Sequence, residues 1–152
     1  MIKLTTLQSS EPGFDAYEMF FEYASIPADA THSVLERILK RAMLTVQEAA
    51  DVSLLDCTLR LTISSREDDS PIRLYQSVDT VLSVKDVKGN SLNFERAGKF
   101  IFVKGMEDVV IEYTTKSLPV EYEKLLPVAF EYATELYDGG DSAKLAQILC
   151  QC

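Results

Sequence analysis

Val109-Val110-Ile111-Glu112-Tyr113-Thr114-Thr115, followed by Leu118-Pro119 and a long amphipathic run to Tyr137, decides the fold class. The seven-residue piece reads as a strand, and Pro119 stands where the first turn of a helix accepts it. Before it, from Pro71 onward, come short strands bounded by turns, and before those a helical segment from about Ser33 to Ala50. The expectation is an α+β fold: N-terminal helices, a small antiparallel β-meander, and C-terminal helices. Such an order contains no parallel-sheet crossover and no obvious nucleotide crevice.

Working back toward the N-terminus, the hydrophobic period becomes two at Leu55. Leu55, Cys57, Leu59, Leu61 and Ile63 alternate with Asp56, Thr58, Arg60, Thr62 and Ser64, so one sheet face is buried and the other wet. Residues 65–71, Ser-Arg-Glu-Asp-Asp-Ser-Pro, read as an exposed loop. Further strands are expected at Ile72–Tyr75, Val81–Val87, Ser91–Glu95 and Phe100–Val103. Lys88-Gly89-Asn90, Ala97-Gly98-Lys99 and Lys104-Gly105 supply turns between them, Gly tolerating the positive φ that such turns require. None of these glycines forms a dinucleotide-binding or P-loop pattern.

The helices announce themselves differently. Ser33-Val34-Leu35-Glu36 reads as a capping box. Val34, Leu35, Ile38, Leu39, Ala42, Val46 and Ala49 then recur at helical spacing. Upstream, Phe14 to Tyr23 reads as a short helix with an aromatic face carrying Phe14, Tyr17 and Phe21, ended by Ile26-Pro27. Met1 to Leu7 reads as an extended segment. Downstream, Leu125, Leu126, Ala129, Phe130, Ala133, Leu136 and Tyr137 form an apolar stripe. Pro127 falls inside that stripe, which predicts one kinked helix or two abutting ones. Asp138-Gly139-Gly140-Asp141 is read as the stop. Ser142 would cap a last short amphipathic helix with Leu145, Ile148 and Leu149.

A length of 152 residues predicts a single domain: an N-terminal segment at 1–30, a core at 31–138 and a C-terminal short helix and tail at 139–152. No apolar stretch approaches the ~18 residues of a membrane span, and the first residues lack a signal-peptide pattern. No membrane association is expected; the setting is cytosolic or virion. Net charge is −9, unevenly placed: residues 1–30 hold one Lys against five acids, and residues 121–152 hold two Lys against six. The three intervening blocks of thirty carry only −1 of that total. Such a balance opposes phosphate-backbone binding and suits a surface that repels DNA, meets a basic partner, or simply stays soluble.

Side chains with chemistry are scattered. Three cysteines do not make a disulfide framework: Cys57 reads as a buried thiol, and Cys150 and Cys152 lack the further soft ligands a metal site needs. His32 reads as a loop or cap residue. Asp68-Asp69 reads as a solvated turn, without the oxygen-ligand spacing of a calcium loop. A small ligand-binding domain or enzyme would have to draw on His32, Cys57, Arg60, Asp68, Glu112 and Tyr113. No recognisable spacing links them. No catalytic, cofactor-binding or metal-ligating residue is therefore assigned, and no cofactor is expected.

The order of elements over residues 30–138 resembles the head–tail connector (head completion, adaptor) proteins of tailed bacteriophages and prophages. The residues that carry the likeness are the helix with Leu35, Ile38, Leu39 and Ala42, then Cys57-Thr58-Leu59-Arg60-Leu61 and Ile72-Arg73-Leu74. Val81-Leu82-Ser83-Val84, Ile111-Glu112-Tyr113-Thr114, and Leu118-Pro119 leading to a helix ending at Leu136-Tyr137 complete it. Pro127, Asp138-Gly139-Gly140 and the aromatic segment before Pro27 depart from that pattern. The resemblance implies a non-enzymatic structural protein of the virion, assembled in the bacterial host cytoplasm. Its partners would be the portal protein and tail-completion proteins. It would form a homo-oligomeric ring when assembled and be a monomer or weak oligomer alone, with DNA passing the channel without sequence-specific binding. The alternatives are the small ligand-binding domain or enzyme, and an adaptor module outside phages.

Overall fold

The computed structural model describes residues 1–24, 32–66, 68–105 and 108–137. They group into two compact units. A β unit takes Met1–Ser9 and Asp56–Lys116, and a helical unit takes Ser10–Leu55 and the chain from Ser117 onward.

The β unit is built around a four-stranded sheet of β1 (Ile2–Ser9), β2 (Cys57–Ile63), β7 (Val109–Thr115) and β4 (Val78–Asp86), in the order β1-β2-β7-β4. Every pairing is antiparallel. The inward residues of the two central strands are Cys57, Leu59 and Leu61, with Val109, Ile111, Tyr113 and Thr115 opposite, and all are buried. Alternation at period two places these residues on a single face and leaves Arg60, Thr62, Glu112 and Thr114 on the other. A second sheet joins β3 (Ile72–Arg73), β6 (Phe100–Phe102) and β5 (Glu95–Ala97) in the order β3-β6-β5. It adds Ile72, Leu74, Ile101 and Val103 to the buried set.

The helical unit holds α1 (Phe14–Ala24), α2 (His32–Ala50) and α3 (Pro119–Tyr137). Ala16, Tyr17 and Phe20 of α1 are buried, as are Leu35, Leu39, Ala42, Met43 and Val46 of α2. Phe130 of α3 lies between aromatic neighbours, its ring centre 5.9 Å from that of Phe20 and 5.8 Å from that of Tyr23. Gln47, 1% exposed, ends α2 from inside: its Oε1 accepts the backbone N–H of Leu54 and of Leu55, both at 3.1 Å. Buried backbone donors need such acceptors. Asp51 turns the chain with φ of 57°, a left-handed conformation that Asp adopts more readily than most residues.

The sequence reading and the structure differ in definite places. The N-terminal extended segment is the first strand of the main sheet, paired with β2, so the β region precedes the helices as well as lying between them. The sheet is not a simple meander, because β7 inserts between β2 and β4. The strand expected at Ser91–Glu95 starts at Glu95, and Ser91 makes only an isolated bridge to Lys85. In α2, Val34 and Ala49 are exposed, whereas Met43 and Gln47 are buried. That burial turns the inward stripe slightly around the helix. In α3, Val128 and Tyr132 join the buried face and Tyr137 does not.

The helix α3 runs through Pro127 as a single element, not as two abutting helices. Pro127 itself is exposed, so the carbonyl of Glu123, which loses its intrahelical donor, is on a solvated turn. Helix α2 begins at His32, one residue ahead of the proposed capping Ser33. Ile26-Pro27, the 138–141 stop and the final helix with Leu145, Ile148 and Leu149 lie outside the described residues, as do Cys150 and Cys152.

Candidate assembly interface

The charge of the chain separates with the two units. The β unit contains ten acidic and ten basic residues, so its formal charge is zero. The helical unit contains fourteen acidic against five basic residues and therefore carries the entire −9. On α1, Asp15, Glu18 and Glu22 are all exposed, three and four residues apart, on one side of the helix. The surrounding carboxylates are felt by the phenols: burial first, with Glu36 adding for Tyr17, Glu131 for Tyr23 and Asp15 for Tyr122, raises each hydroxyl above its ordinary range. A surface of this sign repels nucleic-acid phosphates and attracts basic protein surfaces.

The β unit has two dissimilar sides. On one side β1 forms the edge of the main sheet. Met1 and Ser64 exchange both hydrogen bonds, at 2.7 and 2.9 Å, which fixes the ladder phase. Lys3 and Thr5 then bond toward β2, and Ile2, Leu4 and Thr6 turn their N–H and C=O groups outward. Ile2 and Leu7 are exposed apolar residues on this strand. The other edge, β4, is blunted by its own chain. Asp86 N–H donates to the Asn90 carbonyl and Leu92 N–H to the Val84 carbonyl, both at 2.9 Å, and Arg96 Nη1 donates to the Asp79 carbonyl at 3.0 Å. Two register shifts further disrupt that strand.

Those same contacts hang the β5–β6 hairpin beside β4, across the sheet from β1. The hairpin exposes Phe100 and Phe102 on one face, 43% and 41% accessible, because Ile101 takes the buried side. Gly98 has φ of 60° in its turn, where a side chain would be strained. Phe94 and Phe102 line an open cavity of about 530 Å³ with Asp69, Asn93, Glu95, Val103 and Lys104. Its apolar walls and mixed charges suit a protein side chain.

The scattered candidates of the sequence reading occupy structural posts. Cys57 is buried, and its N–H donates to Thr115 Oγ1 at 3.2 Å. Arg60 and Glu112, read separately from sequence, stand opposite one another on β2 and β7, Arg60 Nη2 lying 2.8 Å from Glu112 Oε1. Asp68 accepts hydrogen bonds from the hydroxyl and backbone N–H of Ser70, which hold its carboxyl below the usual range. Tyr113 is fully buried, its hydroxyl bonded to the backbone of Tyr75. His32 opens α2; its side chain lies outside the described residues. Among the described residues no group of three or more His, Cys, Asp or Glu is placed to hold a metal ion. Among them, too, no helix is long and apolar enough to cross a membrane.

Solved structures with a similar fold come from gene transfer agent particles. A chain in the neck of an empty gene transfer agent particle, computed with C6 symmetry, superposes with a TM-score of 0.66 at 19% identity, covering 90% of this chain and 84% of that one. The fold is one found in a gene transfer agent neck. A chain in the virion of the native gene transfer agent particle matches with a TM-score of 0.62 at 19% identity, over 89% of this chain and 84% of that one. A third, in the neck of the native particle computed with C12 symmetry, matches at 0.55 with 17% identity, over 87% and 84% of the two chains. No protein-family model and no curated protein matches the sequence.

Sequence reasoning missed the exposed aromatics of the hairpin and the open β1 edge. Phe100-Ile101-Phe102 reads as core in any hydropathy pattern. Only the paired register reveals that the central residue alone is inward.

Proposed function

We propose that this protein is a structural, non-enzymatic subunit of a phage-like particle neck, joining portal and tail as one member of a ring through which DNA passes. The observation that supports this most is the agreement of the fold, over nine-tenths of the chain, with chains of gene transfer agent neck and virion structures. The C6 and C12 symmetries of those neck assemblies favour a cyclic arrangement of copies. The charge partition adds a physical reason. A helical unit carrying −9 repels the DNA backbone, so a channel bearing it passes DNA without sequence-specific adhesion.

The reading also covers partners and place: portal and tail-completion proteins as neighbours, assembly in the bacterial host cytoplasm, and residence in the virion. The free chain is monomeric or weakly oligomeric, because like-charged helical units oppose ring closure until a portal gathers them. That repulsion is strongest at low salt, where the screening length reaches ~30 Å near 0.01 M. Co-purification with a co-expressed portal protein from the same genome, together with light scattering of the free chain across salt, tests it. Retention by the portal and a small free species are expected. A chain that ignores the portal, or that turns over a small metabolite, refutes the reading.

A further inference from the structure

Resting on the ring reading, we infer that neighbouring copies meet through their β units: strand β1 of one copy seats against the β5–β6 hairpin of the next, with Ile2 and Leu7 on Phe94, Phe100 and Phe102. A cyclic ring larger than a dimer requires a head-to-tail contact between two different patches facing away from each other. The β unit supplies both. Strand β1 is one edge of the main sheet, and the hairpin is tethered beside the opposite edge through Arg96–Asp79 and Leu92–Val84.

The two patches are complementary in kind. Strand β1 offers the outward amide and carbonyl groups of Ile2, Leu4 and Thr6, two exposed aliphatic side chains, and Lys3 as its only charged side chain. The hairpin offers the short edge strand β5, an aromatic face, and a cavity whose wall carries Asp69, Glu95 and Lys104. An extended strand laid on an exposed edge with side chains seated in an adjoining pocket is a recurrent recognition mode. Strand β4 cannot take this role, since its outer carbonyls at Asp79 and Val84 already have donors.

Charge selects a second copy as the occupant. Two copies of this chain repel through helical units of −9 each, whereas their β units are neutral. Contact through the β units therefore places the attractive surface where self-repulsion is least. A basic partner would instead be drawn to the helical unit.

The test uses full-length chain with Cys150 and Cys152 changed to Ser and the buried Cys57 retained. Lys3→Cys and Ala97→Cys are made separately, both at exposed positions, and treated with a short bis-maleimide at high protein concentration and about 1 M salt, where the screening length falls to about 3 Å. A mixture of the two variants is expected to give a cross-linked dimer at least tenfold above either variant alone. The double variant should give a ladder. The paired change Phe100→Ser with Phe102→Ser, at exposed positions, should abolish the ladder while the circular dichroism spectrum is unchanged.

Cross-linking of either single variant to itself as strongly as the mixture overturns the proposal, because it reports a two-fold contact. If sedimentation shows rings for the parent chain while the mixture stays uncross-linked, this contact is wrong and the ring reading stands. A chain that neither sediments as an oligomer nor cross-links, with or without portal, overturns both.

Discussion

The hydroxyl of Tyr113 accepts the backbone N–H of Tyr75 at 3.1 Å and donates to the carbonyl of the same residue at 3.2 Å. One fully buried side chain on the central strand of the main sheet thus holds the segment that follows β3 of the second sheet. It satisfies both backbone groups of a residue that no strand pairs. Tyr113→Phe keeps the ring and removes both bonds. The expected cost is about 1–3 kcal/mol of unfolding free energy, from leaving a partly buried donor and acceptor unmade. Urea denaturation checks it: the midpoint should fall with an unchanged slope. An unaltered midpoint would mean that water replaces the phenol.

Gln47 should be similarly intolerant, for a reason local to the helical unit. Its Oε1 serves two backbone donors, Leu54 and Leu55. Gln47→Leu retains the apolar surroundings but removes the acceptor that both amides use, at about 2 kcal/mol. Gln47→Ala adds a cavity to that loss. Thermal melts of the two variants against the parent measure it, and Leu should lower the midpoint despite its better helix propensity.

Pro127 predicts a gain. It sits in α3 at an exposed position, where it removes one helical hydrogen bond and is not part of the buried face. Pro127→Ala restores the N–H for the Glu123 carbonyl and should raise stability by about 1–3 kcal/mol. Differential scanning calorimetry would show a higher midpoint; a lower one would mean that α3 depends on the proline.

Asp86 gives a pH dependence with a definite sign. Hydrogen bonds from the backbone and side chain of Asn90, and from Lys88 N–H, depress its carboxyl below the ordinary value. A depressed carboxylate contributes stability that is present above its unfolded pKa, about 4, and is lost as pH falls through its lower folded value. Asp86→Asn removes this contribution. The difference in unfolding midpoint between parent and variant should be visible at pH 6 and shrink as pH is lowered from about 4 toward 2.

Much of the fold was legible because it is local. The alternation from Cys57 to Leu61, the strand at Val109–Thr115 and the helix from Pro119 are written in periods of two and 3.6 that neighbouring residues enforce. What was not legible is pairing across the chain. Nothing near Ile2 announces that Ile63 is its partner, and nothing near Arg60 announces Glu112, because register is settled by contacts tens of residues apart. Glutamine is usually exposed, so nothing near Gln47 announces its burial, and its partners come seven and eight residues later. The interface was hidden for the opposite reason. Phe94, Phe100 and Phe102 look like core until the short hairpin leaves one of its faces uncovered.

The charge asymmetry was half visible. Acidic ends were plain from composition, and the chain topology then assigns both ends after Ser9 to one unit. That step turns a diffuse −9 into a property of the helices. It also carries an ionic-strength prediction: oligomerisation of the free chain should rise with added salt, the reverse of assembly driven by opposite charges.

Cryo-electron microscopy of particles from the host that carries this gene decides whether the chain is a neck subunit. The expected result is this chain in several copies around the particle axis between portal and tail. Particles whose neck is complete without it would contradict the account.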